Sequence, residues 1–279
     1  MPESASTAAS SASPPGAEAI SAAFAVARDE GRAALMPYLM GGFPDQETAT
    51  AVAGAYVDAG ADLIELGVPF SDPLADGPTI HSADTAALEA GATLDSVLET
   101  CSTVAGRTPV ALMCYSNMIL ARGVEEFGRL VAEAGAAGVI VPDLPLEEQD
   151  AIRETFGAEG LALIPLVAPT TPPARRAQIC AGAHGFVYLV STVGVTGERT
   201  KLPSELAELI SAAKNEARVP VAVGFGISTP EQAATVGRVA DGVIIGTRLV
   251  REVADAPDLE AALAAVTDFL GETRAALAR

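Results

Sequence analysis

The chain has 279 residues, of which 49% are hydrophobic and only 4% aromatic, and its formal net charge is −19. This length fits one large α/β domain better than two small ones, and an aliphatic core is typical of parallel sheets and their covering helices. The negative charge argues against nucleic-acid and anionic membrane partners, because both attract basic surfaces. Three cysteines without a CxxC pair indicate neither a disulfide framework nor a zinc site.

The N-terminal segment is rich in Ser, Ala and Pro and has no large apolar residue after Met1. Such a segment buries too little surface to offset the entropy lost on ordering, so residues 1–15 are predicted to form a disordered tail. Residues 16–279 are predicted to form a single domain, which begins with a helix over Ala17–Gly31. The absence of Lys and Arg from the first 27 residues, and of any membrane-length apolar run, favours a cytoplasmic location.

From Ala33 onward, short apolar runs alternate with amphipathic stretches. The predicted strands are Ala34–Met40, Asp62–Glu65, Pro109–Met113, Gly138–Val141, Ala162–Leu166, Gly185–Val190, Val219–Val223 and Gly242–Ile245. The predicted helices between and after them include Gln46–Ala59, Val124–Ala134, Leu146–Phe156, Ser204–Ala217, Pro230–Val239 and Leu259–Leu277. Eight strand–helix units in about 245 residues predict an α/β protein of the (β/α)8 barrel type. A doubly wound open sheet is the alternative architecture.

The second predicted strand carries a carboxyl group at its end. Glu65 closes an apolar run, and the long loop Pro69–Pro78 that follows contains Asp72 and Asp76. Active sites of barrels lie at the carboxyl ends of the strands, where burial raises the pKa of a carboxyl group and suits it to proton transfer near neutral pH. The alternative interpretation is that Glu65 pairs with a neighbouring Arg or caps a turn.

Three consecutive predicted strands open into turns that contain glycine. Gly194 and Gly197 follow strand six, Gly224 and Gly226 follow strand seven, and Gly246 follows strand eight. Glycine turns and helix N-termini present backbone N–H groups to anions, and the loops after strands seven and eight are the usual phosphate site of barrels. The pattern therefore predicts a small phosphorylated substrate, although glycines also serve simply as turn caps.

Other catalytic chemistries lack suitable residues. The only lysines, Lys201 and Lys214, do not end a predicted strand, so a Schiff-base nucleophile is not indicated. The only histidines, His81 and His184, form no metal-ligand pattern. Cys114 has no His or Asn partner and is expected to pack in the core. The sequence therefore predicts carboxylate chemistry without a metal.

The run from Glu65 to Ile80, ELGVPFSDPLADGPTI, resembles the signature of the tryptophan synthase α subunit family. Further segments agree in the expected order, namely Pro37–Leu39 with Gly42–Pro44, Met113–Asn117, Val141–Pro145, Gly194–Gly197 and Gly224–Ser228. The resemblance extends from about Ala17 to the C-terminus. It implies a (β/α)8 barrel with an extra N-terminal helix. It also implies a lyase of tryptophan biosynthesis that cleaves indole-3-glycerol phosphate to indole and glyceraldehyde 3-phosphate.

The resemblance also implies roles for individual residues. Glu65 matches the main acid/base and Asp76 the second catalytic carboxylate. The substrate-binding positions of the family are matched by Tyr38, Tyr188, Gly197, Gly226, Gly246 and Thr247. Thr247 is usually Ser in the family, which keeps the hydroxyl group. Asp72 is expected to contact the partner subunit, and its alternative role is to cap the turn before Pro73.

The family works with a β subunit that consumes the indole. The resemblance therefore implies an α2β2 hetero-tetramer, with pyridoxal phosphate only in the β partner and no cofactor in this chain. One alternative is a stand-alone lyase that releases free indole. A second alternative is a non-catalytic activator of the β subunit, and the intact Glu65 and Asp76 argue against this as the sole role.

Overall fold

The computed structural model describes residues 15–190, 204–224 and 226–278. Within these residues the strands are β1 (Ala34–Met40), β2 (Ile64–Gly67), β3 (Val110–Met113), β4 (Gly138–Ile140), β5 (Ala162–Ile164), β6 (Leu166–Val167), β7 (Val187–Val190), β8 (Val221–Gly224) and β9 (Gly242–Ile245). All neighbouring strands are parallel, in the order β5-β4-β3-β2-β1-β9-β8-β7-β6. The predicted bounds of the first and last strands agree with β1 and β9.

Helices follow the strands and cover the outside of the sheet. They are α1 (Pro15–Asp29), α2 (Gln46–Asp58), α3 (Pro78–Glu89), α4 (Leu94–Val104), α5 (Ser116–Arg122), α6 (Val124–Glu133), α7 (Gln149–Ala158), α8 (Pro173–Ala181), α9 (Ser204–Glu216), α10 (Pro230–Gly237), α11 (Thr247–Asp255) and α12 (Leu259–Ala276). The predicted helix Leu146–Phe156 begins with a short 3-10 turn over Leu146–Glu148 and continues as α7. Of the helices described, not one is long and apolar enough to cross a membrane.

The sheet closes into a ring at Pro165. Strands β5 and β6 lie at opposite ends of the strand order, yet this single residue separates them in the chain. Proline has no backbone N–H and therefore interrupts the ladder of hydrogen bonds, while its carbonyl accepts a hydrogen bond of 2.9 Å from the Tyr188 N–H of β7. The predicted strand Ala162–Leu166 is thus one barrel strand in two pieces. The eight-stranded barrel is confirmed, and the doubly wound alternative is wrong.

The first helix closes the amino-terminal end of the barrel. Ile20 and Phe24 of α1 are buried against Met36 and Ile244 inside the ring, and the rings of Phe24 and Phe186 lie 5.8 Å apart. Within the described residues, α1 therefore covers this end of the barrel interior, and the carboxyl ends of the strands lie at the opposite end. The helix begins at Pro15, and the other residues of the predicted tail lie outside the described part of the chain, so that prediction stays a prediction.

Candidate active site

Glu65 lies inside strand β2 and not at its end. The strand runs on to Gly67, two residues beyond the predicted end, and Glu65 pairs in register with Tyr38 of β1 and Ala111 of β3. Alternating side chains of a strand point to opposite faces. Ile64 and Leu66 pack outward among the apolar residues under the helices, so Glu65 points into the barrel, where its residue is 1% exposed.

Burial controls the protonation of Glu65. It raises the pKa of this carboxyl to about 8, with a further rise from the negative charge of Asp76 and a partial offset from a hydrogen bond with Tyr188. One carboxyl oxygen, Oε2, has no hydrogen-bond partner among the described residues, and no ion pair found in them includes Glu65. Since an unpaired buried charge is costly, the neutral acid is favoured at neutral pH. Within residues 15–190, 204–224 and 226–278, Glu65 therefore has no Arg partner, contrary to the alternative interpretation.

Asp76 is held at the end of the loop between β2 and α3. Its Oδ2 accepts a hydrogen bond of 2.7 Å from the Tyr115 hydroxyl, which in turn accepts one of 3.0 Å from the Ala75 N–H. Burial raises the pKa of Asp76, and the Tyr115 bond counteracts this rise. Tyr115 was not predicted as a site residue. Its position just after the third predicted strand, in a segment that carries the family resemblance, was the signal that could have identified it.

Two buried tyrosines lie beside glycines of the neighbouring strands. Tyr38 of β1 occupies the space where a Cβ atom on Gly67 of β2 would be, and Tyr188 of β7 occupies the corresponding space at Gly224 of β8. Burial, together with nearby carboxylates, raises the pKa of both phenols well above the usual value. Both hydroxyls therefore keep their protons at neutral pH; that of Tyr38 donates to Met40 Sδ at 3.9 Å, and that of Tyr188 is hydrogen-bonded with Glu65.

One cavity at the carboxyl ends of the strands is lined by most of the predicted site residues. It is lined by Tyr38, Glu65, Asp76, Gly77, Ile80, Met113, Tyr188, Gly226, Ile227, Ile244, Gly246 and Thr247. Seven of the eight predicted catalytic and substrate-binding residues are among these, and the eighth, Gly197, lies outside the described residues together with Gly194. The apolar lining residues were missed, although Met113 and Ile244 face inward from predicted strands.

Part of the cavity lining has features that suit an anion. Gly246 immediately precedes α11 and serves as its N-cap residue, and the first N–H groups of a helix have no partner within the helix. Gly226 has a φ of +75°, a left-handed conformation that glycine adopts without strain. Gly226, Gly246 and Thr247 line the same cavity as Glu65.

The remaining predicted residues lie away from the cavity. Asp72 is exposed on the loop, and its Oδ2 accepts a hydrogen bond of 2.6 Å from the Ser71 hydroxyl. Lys214 forms an ion pair with Asp241 on the outside of the barrel. Cys114 is buried in the core, as expected. The described part of the chain contains no group of three or more His, Cys, Asp or Glu side chains that could hold a metal ion.

The closed barrel and the cavity at the carboxyl ends of its strands, with the buried Glu65 on the cavity wall, are typical of a barrel enzyme. Residues 24–278 match the family model described as tryptophan synthase alpha chain. The chain therefore belongs to the tryptophan synthase alpha chain family.

Relatives with this name cover nearly the whole chain. The tryptophan synthase alpha chain of Cyanothece sp. is 46% identical over 261 residues, which are 92% of this chain and 97% of the relative. That of Chloroflexus aurantiacus is 44% identical over 263 residues, or 93% and 98%. Among solved structures, tryptophan synthase of Mycobacterium tuberculosis is 37% identical with a TM-score of 0.85, over 93% of this chain and 98% of that one. The alpha chain of Legionella pneumophila is 35% identical with a TM-score of 0.83, over 92% and 96%.

These matches confirm the resemblance found in the sequence. They confirm the barrel and the assignment to the lyases that cleave indole-3-glycerol phosphate in tryptophan biosynthesis. They support the prediction of an α subunit and neither of its two alternatives, the stand-alone lyase and the non-catalytic activator.

Proposed function

We propose that Glu65 and Asp76 perform the cleavage of indole-3-glycerol phosphate into indole and glyceraldehyde 3-phosphate. The observation that supports this most is the placement of the two carboxyl groups on the wall of one cavity, where Glu65 is fully buried. The raised pKa of Glu65, about 8, makes it a proton donor at neutral pH, and the same group becomes a proton acceptor once it has ionised.

The first step is transfer of the Glu65 proton to C3 of the indole ring. The ring then carries a positive charge that is shared with its N–H group. The carboxylate of Asp76 accepts a hydrogen bond from that N–H and stabilises the charge, which is greatest at this stage of the reaction. The Tyr115 hydroxyl favours the ionised form of Asp76, because its hydrogen bond to the carboxylate counteracts the rise in the pKa of Asp76 that burial causes.

The second step breaks the bond between C3 and the side chain. The electron pair of this bond returns to the ring and neutralises the nitrogen, while the adjacent side-chain hydroxyl loses its proton and becomes an aldehyde. The carboxylate of Glu65 accepts that proton and is restored to the acid form, so no proton is gained or lost over the cycle. Anchoring of the phosphate near Gly226, Gly246 and Thr247 orients the breaking bond.

Gly246→Val is expected to weaken substrate binding more than it slows the reaction. A Cβ atom at Gly246 meets the Tyr38 ring at 3.5 Å, an ordinary contact, so the two further methyl groups of valine must enter the cavity. The KM for indole-3-glycerol phosphate should rise at least about tenfold, a loss of roughly 1.4 kcal/mol of binding, with a smaller fall in kcat. Steady-state kinetics test this, with Gly246→Ala as the control, and an unchanged KM in the valine variant would contradict the phosphate assignment.

Gly226→Val should also raise KM more than it lowers kcat, with added backbone strain because Gly226 has a positive φ.

We further propose that the indole passes to a tryptophan synthase β subunit in an α2β2 assembly. In this proposal the β partner holds the pyridoxal phosphate, and residues 16–279 act as one catalytic domain in the cytoplasm. Support comes from the family assignment and from the chain's similarity to the tryptophan synthase of Mycobacterium tuberculosis. The strongly negative net charge of −19 gives no support to a nucleic-acid partner.

Indole release by the purified chain, measured with and without a purified β subunit, tests the proposal. Turnover that rises when the β subunit is added supports the α-subunit function. Equal rates in the presence of a β subunit that demonstrably binds would favour the stand-alone lyase. Absence of indole under both conditions, together with activation of the β subunit, would leave only the role of an activator.

Asp72→Ala is expected to reduce activation by the β subunit several-fold while the isolated chain keeps nearly its normal rate. Asp72 is exposed next to the loop residues that enter the cavity, so its charge can contact a basic residue of the partner, and interface charges affect association in this way. The measurement is kcat as a function of added β subunit. Glu260→Ala removes an exposed charge of α12 and serves as the control. Equal activation of the wild type and Asp72→Ala would show that Asp72 serves only as a turn residue.

A further inference from the structure

A third carboxyl group lies beneath the loop that carries Asp76. Asp84 is on the buried face of α3, and its residue is 2% exposed. Its Oδ1 accepts a hydrogen bond of 3.0 Å from the backbone N–H of Phe70, near the start of the loop. Its Oδ2 is buried and has no hydrogen-bond partner among the described residues. Because an unsatisfied buried oxygen costs stability, a purely structural reason for an aspartate here is weak.

A chain of contacts connects the hydrogen bond between Asp84 and Phe70 with Asp76. The Phe70 ring stacks on the Tyr115 ring, with centroids 5.2 Å apart and an angle of 26° between the planes. The hydroxyl of Tyr115 then binds both Asp76 Oδ2 and the Ala75 N–H. The loop is therefore fastened at its start by Asp84 and at its end by Tyr115, and the stacked rings connect the two points.

The surroundings of Asp84 contain mostly acidic or neutral groups. Asp76 on the loop and the phenols of Tyr38 and Tyr115 lie close enough to interact with it electrostatically. On the neighbouring helix α11, Arg251 contacts the Thr79 hydroxyl instead, and no ion pair that the described residues form includes Asp84. Burial raises the pKa of Asp84 to about 7. The Phe70 amide is thus the hydrogen-bond donor that holds this carboxyl group.

We propose that Asp84 is a positioning residue for Asp76: it holds the Phe70 amide, seats the Phe70 ring on Tyr115 and so fixes the hydrogen bond between Tyr115 and Asp76. The effect on catalysis rests on the proposed function of Asp76, whereas the anchoring of the loop does not. A small displacement of a group that stabilises charge costs a large factor in rate, so the anchor matters for kcat even though Asp84 does not line the cavity.

The anchor is tested first without any activity measurement. Hydrogen–deuterium exchange of the wild-type chain should show protection of residues 69–78, and Asp84→Ala should speed exchange in this segment at least about tenfold, because the Phe70 amide loses its acceptor. Asp84→Asn keeps a carbonyl oxygen in the same place and should restore protection. Unchanged exchange in Asp84→Ala would overturn the anchor, whether or not the chain turns over indole-3-glycerol phosphate.

The consequence for catalysis is tested by kinetics. Asp84→Ala should lower kcat between about tenfold and a hundredfold with little change in KM, and Asp84→Asn should recover most of kcat. Asp241→Ala is the matched control. Asp241 also accepts a hydrogen bond from a backbone N–H, that of Val221 at 2.9 Å, but at the amino end of β8. The control variant should leave both kcat and the exchange of residues 69–78 unchanged. Phe70→Leu removes the ring contact while keeping the amide, and should lower kcat in the same way as Asp84→Ala.

A double-mutant comparison shows whether Asp84 acts through Asp76. In the Asp76→Asn background, Asp84→Ala should cause almost no further loss of kcat, because the charge that it positions is already gone. An equal fold loss in both backgrounds would overturn the proposal, since Asp84 would then act independently of Asp76. A wild-type chain that releases no indole would contradict the proposed function alone and leave the exchange result to decide the anchor.

Discussion

Glu65→Gln should lower the rate of indole formation by about a hundredfold to ten-thousandfold, the usual contribution of a general acid–base group. The amide has nearly the shape of the carboxyl but can neither give a proton to C3 nor take one from the hydroxyl. The fold should persist, because Glu65 forms no ion pair among the described residues and one of its oxygens has no partner. Indole assays alongside circular dichroism measure both effects, and turnover at the wild-type rate would exclude Glu65 as the acid/base.

The pH dependence of the wild type follows from the same group. The acid form of Glu65 starts the reaction, and the pKa of the Glu65 carboxyl in the free enzyme is about 8. The value of kcat/KM should therefore fall above pH 8, by about tenfold per pH unit once the carboxyl is ionised. A profile of kcat/KM between pH 6 and pH 10 measures this fall. A profile that stays flat above pH 8 would contradict the assignment.

The Gln variant should also be more stable than the wild type at alkaline pH. Folding raises the pKa of Glu65 from 4.5 to about 8, so between these values the folded chain holds a proton that the unfolded chain has released. The free energy of unfolding of the wild type then decreases as pH rises through this window, by up to about 1.4 kcal/mol per pH unit. Glutamine does not titrate, so the decrease disappears. Urea unfolding of the wild type and Glu65→Gln at pH 5 and pH 8.5 measures this change. If the two proteins differ in free energy of unfolding by the same amount at both pH values, Glu65 is not a buried acid with a raised pKa.

Asp76→Asn should lower kcat by about a hundredfold to a thousandfold, the usual effect of removing one group that stabilises charge in the transition state, with little change in KM. The amide oxygen can still accept the hydrogen bond from Tyr115, so the loop keeps its position and only the negative charge is lost. Measurement of kcat and KM for indole-3-glycerol phosphate gives the result directly. An unchanged kcat would show that Asp76 does not stabilise the positive ring.

Tyr115→Phe is the matched control for Asp76→Asn, because it removes the hydrogen bond and keeps the charge. The bond lowers the pKa of Asp76, so its loss raises that pKa further. The carboxylate is then protonated at a higher pH, so the acidic side of the kcat profile should move upward. At higher pH kcat should also lie below the wild-type value, because the hydrogen bond that positions Asp76 is lost. If the acidic side of the kcat–pH profile is the same in Tyr115→Phe as in the wild type, the Tyr115 hydroxyl does not control the ionisation of Asp76.

Local sequence patterns were sufficient for the order of the barrel strands and for the choice of Glu65 as a candidate catalytic carboxyl, whereas Asp76 was chosen over Asp72 through the family resemblance. Apolar runs separated by glycine located every barrel strand, since each parallel strand is buried on both faces and needs aliphatic residues throughout. A charged Glu65 within such a run, followed by the loop with Asp76, was distinctive for the same reason. The glycines after the last two strands were likewise predicted as site residues, and Gly226 and Gly246 line the same cavity.

Only the tertiary structure decided how these groups act on one another. The ring closes at Pro165, whose carbonyl accepts a hydrogen bond from the Tyr188 N–H, and through the pairing of β6 with β7. The contacts from Asp84 through Phe70 and Tyr115 to Asp76 likewise join residues that are distant in the chain. Periodicity describes which face of an element is buried, whereas the raised pKa of Glu65 depends on which distant groups surround it. Those neighbours are brought together by closure of the barrel, because burial and electrostatic coupling are properties of the packed interior and not of any single segment.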